Sequence, residues 1–222
     1  VLLPQARLDV LQELVDKKGV GLALSGGGSR AIAFHYGVLE ALHDFKIDEK
    51  IDVVSAISGG SVVGALWVLH SKDWNLFSQK IELILKEGLE ASFLNVKCLI
   101  AAVFKLGLDP DYLADVLDQK ILDGIKLVDL PESPFLILNA TELKTGSNFK
   151  LSRTLCGTYR EGGYRLENLR LSQAVAYSAA YPLTFSVKKL DLEPGRSVFL
   201  TDGGAYDCIG ANALMPDKDE EK

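Results

Sequence analysis

The chain has 222 residues, 48% of them hydrophobic and 24% charged, a composition that supports one sizeable folded core and excludes wholesale disorder. Thirty acidic side chains against 24 basic ones give a net charge of -6, so no basic field exists to hold nucleic acid. The longest apolar runs, such as Leu99 to Phe104, fall well short of the roughly 18 to 20 residues that a membrane-spanning helix needs.

In chain order, residues Val1 to Lys18 read as a helix that stops at Gly19. Val20 to Ser25 is an apolar strand closed by three glycines, and Ala31 to Phe45 follows as a helix with Phe34, Val38, Leu42 and Phe45 on one face. The unit recurs, with Ile51 to Ile57 as a strand and Gly59 to His70 as an apolar helix. Two successive strand-helix units predict an α/β fold with a mostly parallel central sheet.

From Asn75 to Lys120 the periodicity is helical, with Asp109-Pro110 as a cap and first-turn proline. The apolar stretch Phe93 to Leu106 within it is expected as a core helix or a lid facing lipid. Phe135 to Asn139 and Asn148 to Ser152 flank turn residues and predict a hairpin, so part of the sheet is expected to be antiparallel. Ser172 is expected to cap a short helix through Ala180, and Ser197 to Thr201 is a last strand ending at Asp202-Gly203-Gly204. Residues 1–216 read as one domain with its core at about 20–210, and Asp217 to Lys222 as a charged exposed tail.

Cys98, Cys156 and Cys208 are far apart with no C-x-x-C pair, which disfavours a disulfide framework or a zinc site and predicts buried thiols. The first residues lack the charged start and apolar run of a signal peptide, which favours a cytoplasmic or peripheral membrane location.

The chemistry concentrates at the strand ends. Ser25-Gly26-Gly27-Gly28-Ser29-Arg30 joins a strand to a helix, where free backbone amides can hold a phosphate or the oxyanion of a tetrahedral intermediate. Gly26, Gly28 and Ala31 also satisfy a dinucleotide-binding fingerprint, but the acidic residue it wants is misplaced, because Asp52 starts the second strand rather than ending it. Ala56-Ile57-Ser58-Gly59-Gly60 sits where the second strand becomes a helix, the placement of a nucleophile elbow. Its small neighbours let the turn push the Ser58 hydroxyl above the sheet. Only three histidines exist, His35, His43 and His70, all ahead of the position a Ser-Asp-His order needs. Asp202, ending an apolar strand, is the remaining candidate base.

Taken together, the glycine loop from Ser25 to Arg30, the elbow around Ser58, Ser178-Ala179-Ala180-Tyr181-Pro182 and Asp202-Gly203-Gly204 resemble the patatin-like phospholipases. The resemblance implies a three-layer α/β/α variant of the hydrolase fold, with Ser58 as nucleophile, Asp202 as its base and the amides of Gly26, Gly27 and Gly28 as oxyanion hole. It implies a supporting role for Arg30, no metal or other cofactor, and a phospholipid or other fatty acyl ester as substrate, met at a membrane surface. Two small departures from the family pattern are Ala56, in place of the first glycine of G-x-S-x-G, and Ala31, where a glycine often follows the arginine; Cys208 stands where an asparagine is common. The alternatives are a catalytically silent lipid-binding or signalling module and a dinucleotide-dependent oxidoreductase.

Overall fold

The computed structural model describes residues 19–88, 107–160 and 162–215. The helix expected over residues 1–18, the apolar segment Phe93 to Leu106 with Cys98, and the expected charged tail lie outside the described residues.

The two strand-helix units form as the hydrophobic patterns predict. β1 (Val20–Leu24) leads into α1 (Gly28–Asp44), and β2 (Ile51–Ala56) leads into α2 (Gly59–Leu69). Helix α2 is apolar on every side and accordingly buried from Gly59 to Val68, packing on β2 and β3 of the sheet and on α1. α3 (Trp74–Glu87) follows, its first turn capped by the Asp73 carboxylate, which accepts from Leu76 N–H at 3.0 Å. α4 (Pro110–Leu117) starts at the expected cap, with Asp109 accepting from Asp111 N–H at 2.9 Å.

The second half supplies most of the sheet: β3 (Phe135–Glu142), β4 (Ser147–Leu151), β5 (Cys156–Thr158), β6 (Gly162–Tyr164), β7 (Lys188–Glu193) and β8 (Arg196–Asp202). β1, β2 and β3 are parallel, and every later pairing is antiparallel. The sheet is therefore mixed, parallel at its start, and the short turns that join β3 to β4, β4 to β5, β5 to β6 and β7 to β8 allow only antiparallel pairing there. α5 (Leu171–Ser178) packs on β3, β8, α2 and α4.

One feature of the register positions the site. β3 pairs with β2 through Leu138, opposite Ala56, and with β8 from Ala140, opposite Asp202. β4 pairs with β3 from Leu138 to Glu142, so it occupies the other edge of β3. β2 and β8 thus share one edge of β3 and run toward each other. Their C-terminal ends stop two β3 residues apart, roughly 7 Å along that strand, with Asn139 between them.

Two local expectations give way to tertiary packing. α1 buries Ala31, Ile32, His35 and Leu39, while Phe34 and Phe45 are exposed, so its inward face is rotated from the one the aromatic spacing predicts. α5 begins at Leu171 after Arg170, whose backbone N–H donates to the Gln173 side-chain oxygen at 3.2 Å; Ser172 lies inside the helix and donates to Asp118 instead, at 2.8 Å. Cys156 is buried as expected, and burial pushes its thiol up to about 12. Cys208, by contrast, is exposed.

Candidate active site

The chain leaves β2 through Ile57 and enters α2 at Gly59, with Ser58 at φ 53° and ψ −121°. A non-glycine residue at positive φ carries backbone strain of about 1–3 kcal/mol, and the surroundings hold it there. Ile57 N–H donates to Leu24 carbonyl at 3.0 Å, Gly60 N–H to Ile57 carbonyl at 2.8 Å, and Ser58 N–H to the Ser178 hydroxyl oxygen at 3.2 Å. The elbow also needs glycine on its helix side, because a Cβ at Gly59 would lie 2.2 Å from the Gly28 carbonyl oxygen. Helix α2 thus starts directly against the glycine loop.

Asp202 ends β8 and is 5% exposed. Gly204 N–H donates to its Oδ1 at 2.7 Å, whereas Oδ2 is buried with no hydrogen-bond partner. Burial raises the carboxyl above its usual range; the Gly204 N–H and the nearby Ser58 hydroxyl pull it partly back. Ser58 and Asp202 line the same cavity, and no hydrogen bond occupies Oδ2. A buried carboxylate oxygen left open beside a serine hydroxyl is equipped to accept its proton.

The glycine loop faces the same space. Gly27 has φ 141° and Gly28 φ 62°, conformations that side chains rarely adopt. Of the three glycine amides expected to hold an oxyanion, that of Gly26 is already engaged, donating to the Cys208 carbonyl at 3.0 Å. Gly27 and Gly28, at the cap and first position of α1, donate to no backbone carbonyl outside helices and strands among the described residues. Arg30 is exposed on the wall of the same cavity. That cavity, about 730 Å³ and mostly apolar, joins the glycine loop, Ser58 and Asp202 to Val62, Leu113 and Phe185.

Asp52 lies at the opposite end of β2 from the glycine loop, accepting from Val20 N–H at 3.1 Å. The acidic residue a dinucleotide site requires is thus on the wrong edge of the sheet.

The sequence profile of the patatin-like phospholipases matches residues 22–215, most of the chain. The chain belongs to the patatin-like phospholipase family. Among curated proteins it is similar to "Lysophospholipase NTE1" of Pyricularia oryzae, 46% identical over 54 residues, 24% of this chain and 3% of that protein. The same-named protein of Debaryomyces hansenii is 43% identical over 68 residues, 31% of this chain and 4% of that one. The chain thus spans a small fraction of those relatives' length. Among solved structures, human GIVD cytosolic phospholipase A2 shares the fold with a TM-score of 0.60 at 14% identity, over 96% of this chain and 45% of that one.

Within this patatin-like framework, two groups have roles that the sequence reading did not assign. The His35 side chain, buried on α1, reaches the residue before the glycine loop: its Nε2 lies 3.0 Å from the Ser25 carbonyl oxygen and 3.2 Å from the Ser25 hydroxyl. Burial depresses its pKa, so at neutral pH the imidazole is uncharged and its Nε2–H donates to that carbonyl. Asn139 donates to the Ser55 hydroxyl at 2.9 Å and to the Ala56 carbonyl at 3.1 Å, fastening the end of β2 to β3. A signal for His35 was present in its i+4 spacing from Ala31; none marks Asn139, whose role depends on strand register. The described residues contain no group of three or more His, Cys, Asp or Glu that could hold a metal ion.

Proposed function

We propose that this chain is a serine hydrolase of fatty acyl esters in lipids, using Ser58 as nucleophile and Asp202 as base. The observation that carries this reading is the meeting of β2 and β8 on one edge of β3, which sets the strained Ser58 elbow beside the open Oδ2 of Asp202. Family membership and the lysophospholipase relatives support a glycerophospholipid or lysophospholipid as substrate, and the mostly apolar cavity suits an acyl chain.

In this mechanism Ser58 Oγ attacks the ester carbonyl while its proton passes to Asp202 Oδ2. The carbonyl oxygen, now negative, is held by the Gly27 and Gly28 amides at the positive end of α1. The tetrahedral intermediate collapses, Asp202 returns the proton to the departing alcohol, and an acyl group remains on Ser58. Water, deprotonated by Asp202, then releases the fatty acid and Ser58 regains its proton. No metal or other cofactor takes part.

Leu183, 86% exposed, lies in the turn whose neighbours Pro182, Thr184 and Phe185 line the cavity, and Tyr181 and Val187 beside it are also exposed. This apolar rim suits peripheral contact with a membrane surface, which brings a lipid to the mouth. No helix among the described residues is long and apolar enough to cross a membrane.

Fatty acid released from lysophosphatidylcholine is the test. Ser58→Ala and Asp202→Asn are each expected to lower kcat by roughly 10³-fold or more with folding retained. Wild-type kcat/KM should rise with pH through one ionisation above the ordinary aspartate value of 3.8, because burial raises Asp202. Undiminished turnover in either variant contradicts the assignment.

A further inference from the structure

We propose that Ser178 is a positioning residue that fixes the distance between nucleophile and base, a role that rests on the Ser58–Asp202 reading above. Its side chain is wholly buried at the end of α5. The hydroxyl is 2.6 Å from the Asn139 carbonyl, 2.7 Å from the Ser61 hydroxyl and 3.2 Å from Ser58 N–H. A serine hydroxyl has one proton and two lone pairs. Asn139 offers only a carbonyl, so the Ser178 proton goes there, and its lone pairs accept from Ser58 N–H and from the Ser61 hydroxyl. All three capacities are then filled.

The partners are the informative part. Ser58 N–H belongs to the elbow, and Asn139 is the β3 residue between the partner of Ala56 and the partner of Asp202. Two residues further on, the Ala180 carbonyl accepts from Asp202 N–H at 3.0 Å and from the Thr201 hydroxyl at 3.1 Å. The three-residue segment Ser178–Ala180 therefore grips the nucleophile by its amide and the base by its amide, against the strand that separates them. Ser178 touches no reacting atom. It holds Ser58 at the positive φ that presents the hydroxyl to Asp202 Oδ2, and without it the elbow amide loses its acceptor and the strained turn can relax.

The test compares Ser178→Ala and Ser178→Cys with Ser61→Ala, using hydrolysis of a soluble p-nitrophenyl ester. Ser61→Ala is the packing control: it removes a buried hydroxyl from the same cluster but leaves the bonds from Ser178 to Asn139 and from Ser58 to Ser178. Ser178→Cys keeps the shape of serine with a larger terminal atom and a much weaker acceptor, and it decides the matter should the alanine variant not fold. We expect both Ser178 variants to lose 10- to 100-fold in kcat with KM within about twofold of wild type, and Ser61→Ala to stay within threefold. Ser178 variants within threefold of wild type, or Ser61→Ala falling as far as they do, overturn the proposal. Ser58→Ala runs alongside: retained turnover there overturns the nucleophile assignment itself, and that result is distinct from one confined to the Ser178 variants.

Discussion

Gly60→Ala is a single-methyl perturbation whose consequence can be worked from distances. Gly60 lies in the first turn of α2, and a Cβ there would sit 2.4 Å from the Leu24 carbonyl oxygen and 2.6 Å from that of Ser25, about 1 Å inside the ordinary contact of 3.4 Å. Both obstacles are backbone atoms at the end of β1, so no side chain can swing aside. Helix α2 must retreat by about that distance, taking Ser58 with it. Overpacking of this kind costs about 1–3 kcal/mol. At about 2–4 °C per kcal/mol for a chain of this size, the melting temperature should fall by roughly 2–12 °C. A displacement of ~1 Å at the nucleophile should lower kcat by about 100-fold. Gly37→Ala is the matched control, an exposed position within α1 where an added Cβ meets nothing within 4 Å. It should gain about 0.4–1 kcal/mol and leave turnover unchanged. Thermal unfolding followed by circular dichroism, with p-nitrophenyl ester hydrolysis on the same samples, makes the comparison. A Gly60→Ala protein with wild-type melting temperature and kcat would refute the close approach of α2 to β1.

His35→Leu removes the donor to the Ser25 carbonyl, and should cost about 1–3 kcal/mol at pH 8 by leaving that carbonyl unpaired. The folded pKa of His35 lies below its ordinary 6.5, so the unfolded chain takes up the proton first as pH falls. The wild type therefore loses this contribution below pH 6.5, and its margin over the variant should narrow by pH 5.5; urea unfolding showing a constant or widening margin would contradict the burial of an uncharged imidazole. Leu183→Asp puts a charge on the exposed rim of the cavity. Hydrolysis of phospholipid in vesicles should fall about tenfold, with hydrolysis of a soluble ester within twofold; equal losses on both substrates would show that Leu183 acts on the site itself and not on the lipid surface.

Much of this architecture was legible along the chain, and the illegible parts have identifiable causes. β1 and β2 announce themselves as apolar runs ending in small residues, and the end of β2, buried from Val54 to Ala56, shows no alternation because parallel strands are covered on both faces. The Ser58 elbow was readable for the same reason that it exists: only small residues fit where α2 begins against β1 and the glycine loop. β5 and β6 are three residues each and rich in glycine, too short for any period to show. β7 is an outer strand pairing with β8 alone, and its lysines and acids read as loop. Gly26 illustrates a different limit. Its sequence context matches that of Gly27 and Gly28, yet the loop after Asp202 folds back so that the Cys208 carbonyl takes its amide. That same fold-back puts the Cys208 thiol at the surface, 3.1 Å from the Gly204 carbonyl, where sequence pointed to a buried one. The partnership of Ser178, Asn139 and Ser58 depends on register across more than a hundred residues, which no local pattern encodes.

Trapping the covalent intermediate tests the chemistry most directly. The protein is mixed with an activated short-chain ester, quenched in acid within milliseconds, and its peptides are weighed. An added acyl mass on the Ser58 peptide in wild type, much slower to accumulate in Asp202→Asn, is what a serine nucleophile activated by an aspartate base must give. Turnover with no acyl group on Ser58 at any time point, or acylation at full speed without the Asp202 carboxylate, would contradict it.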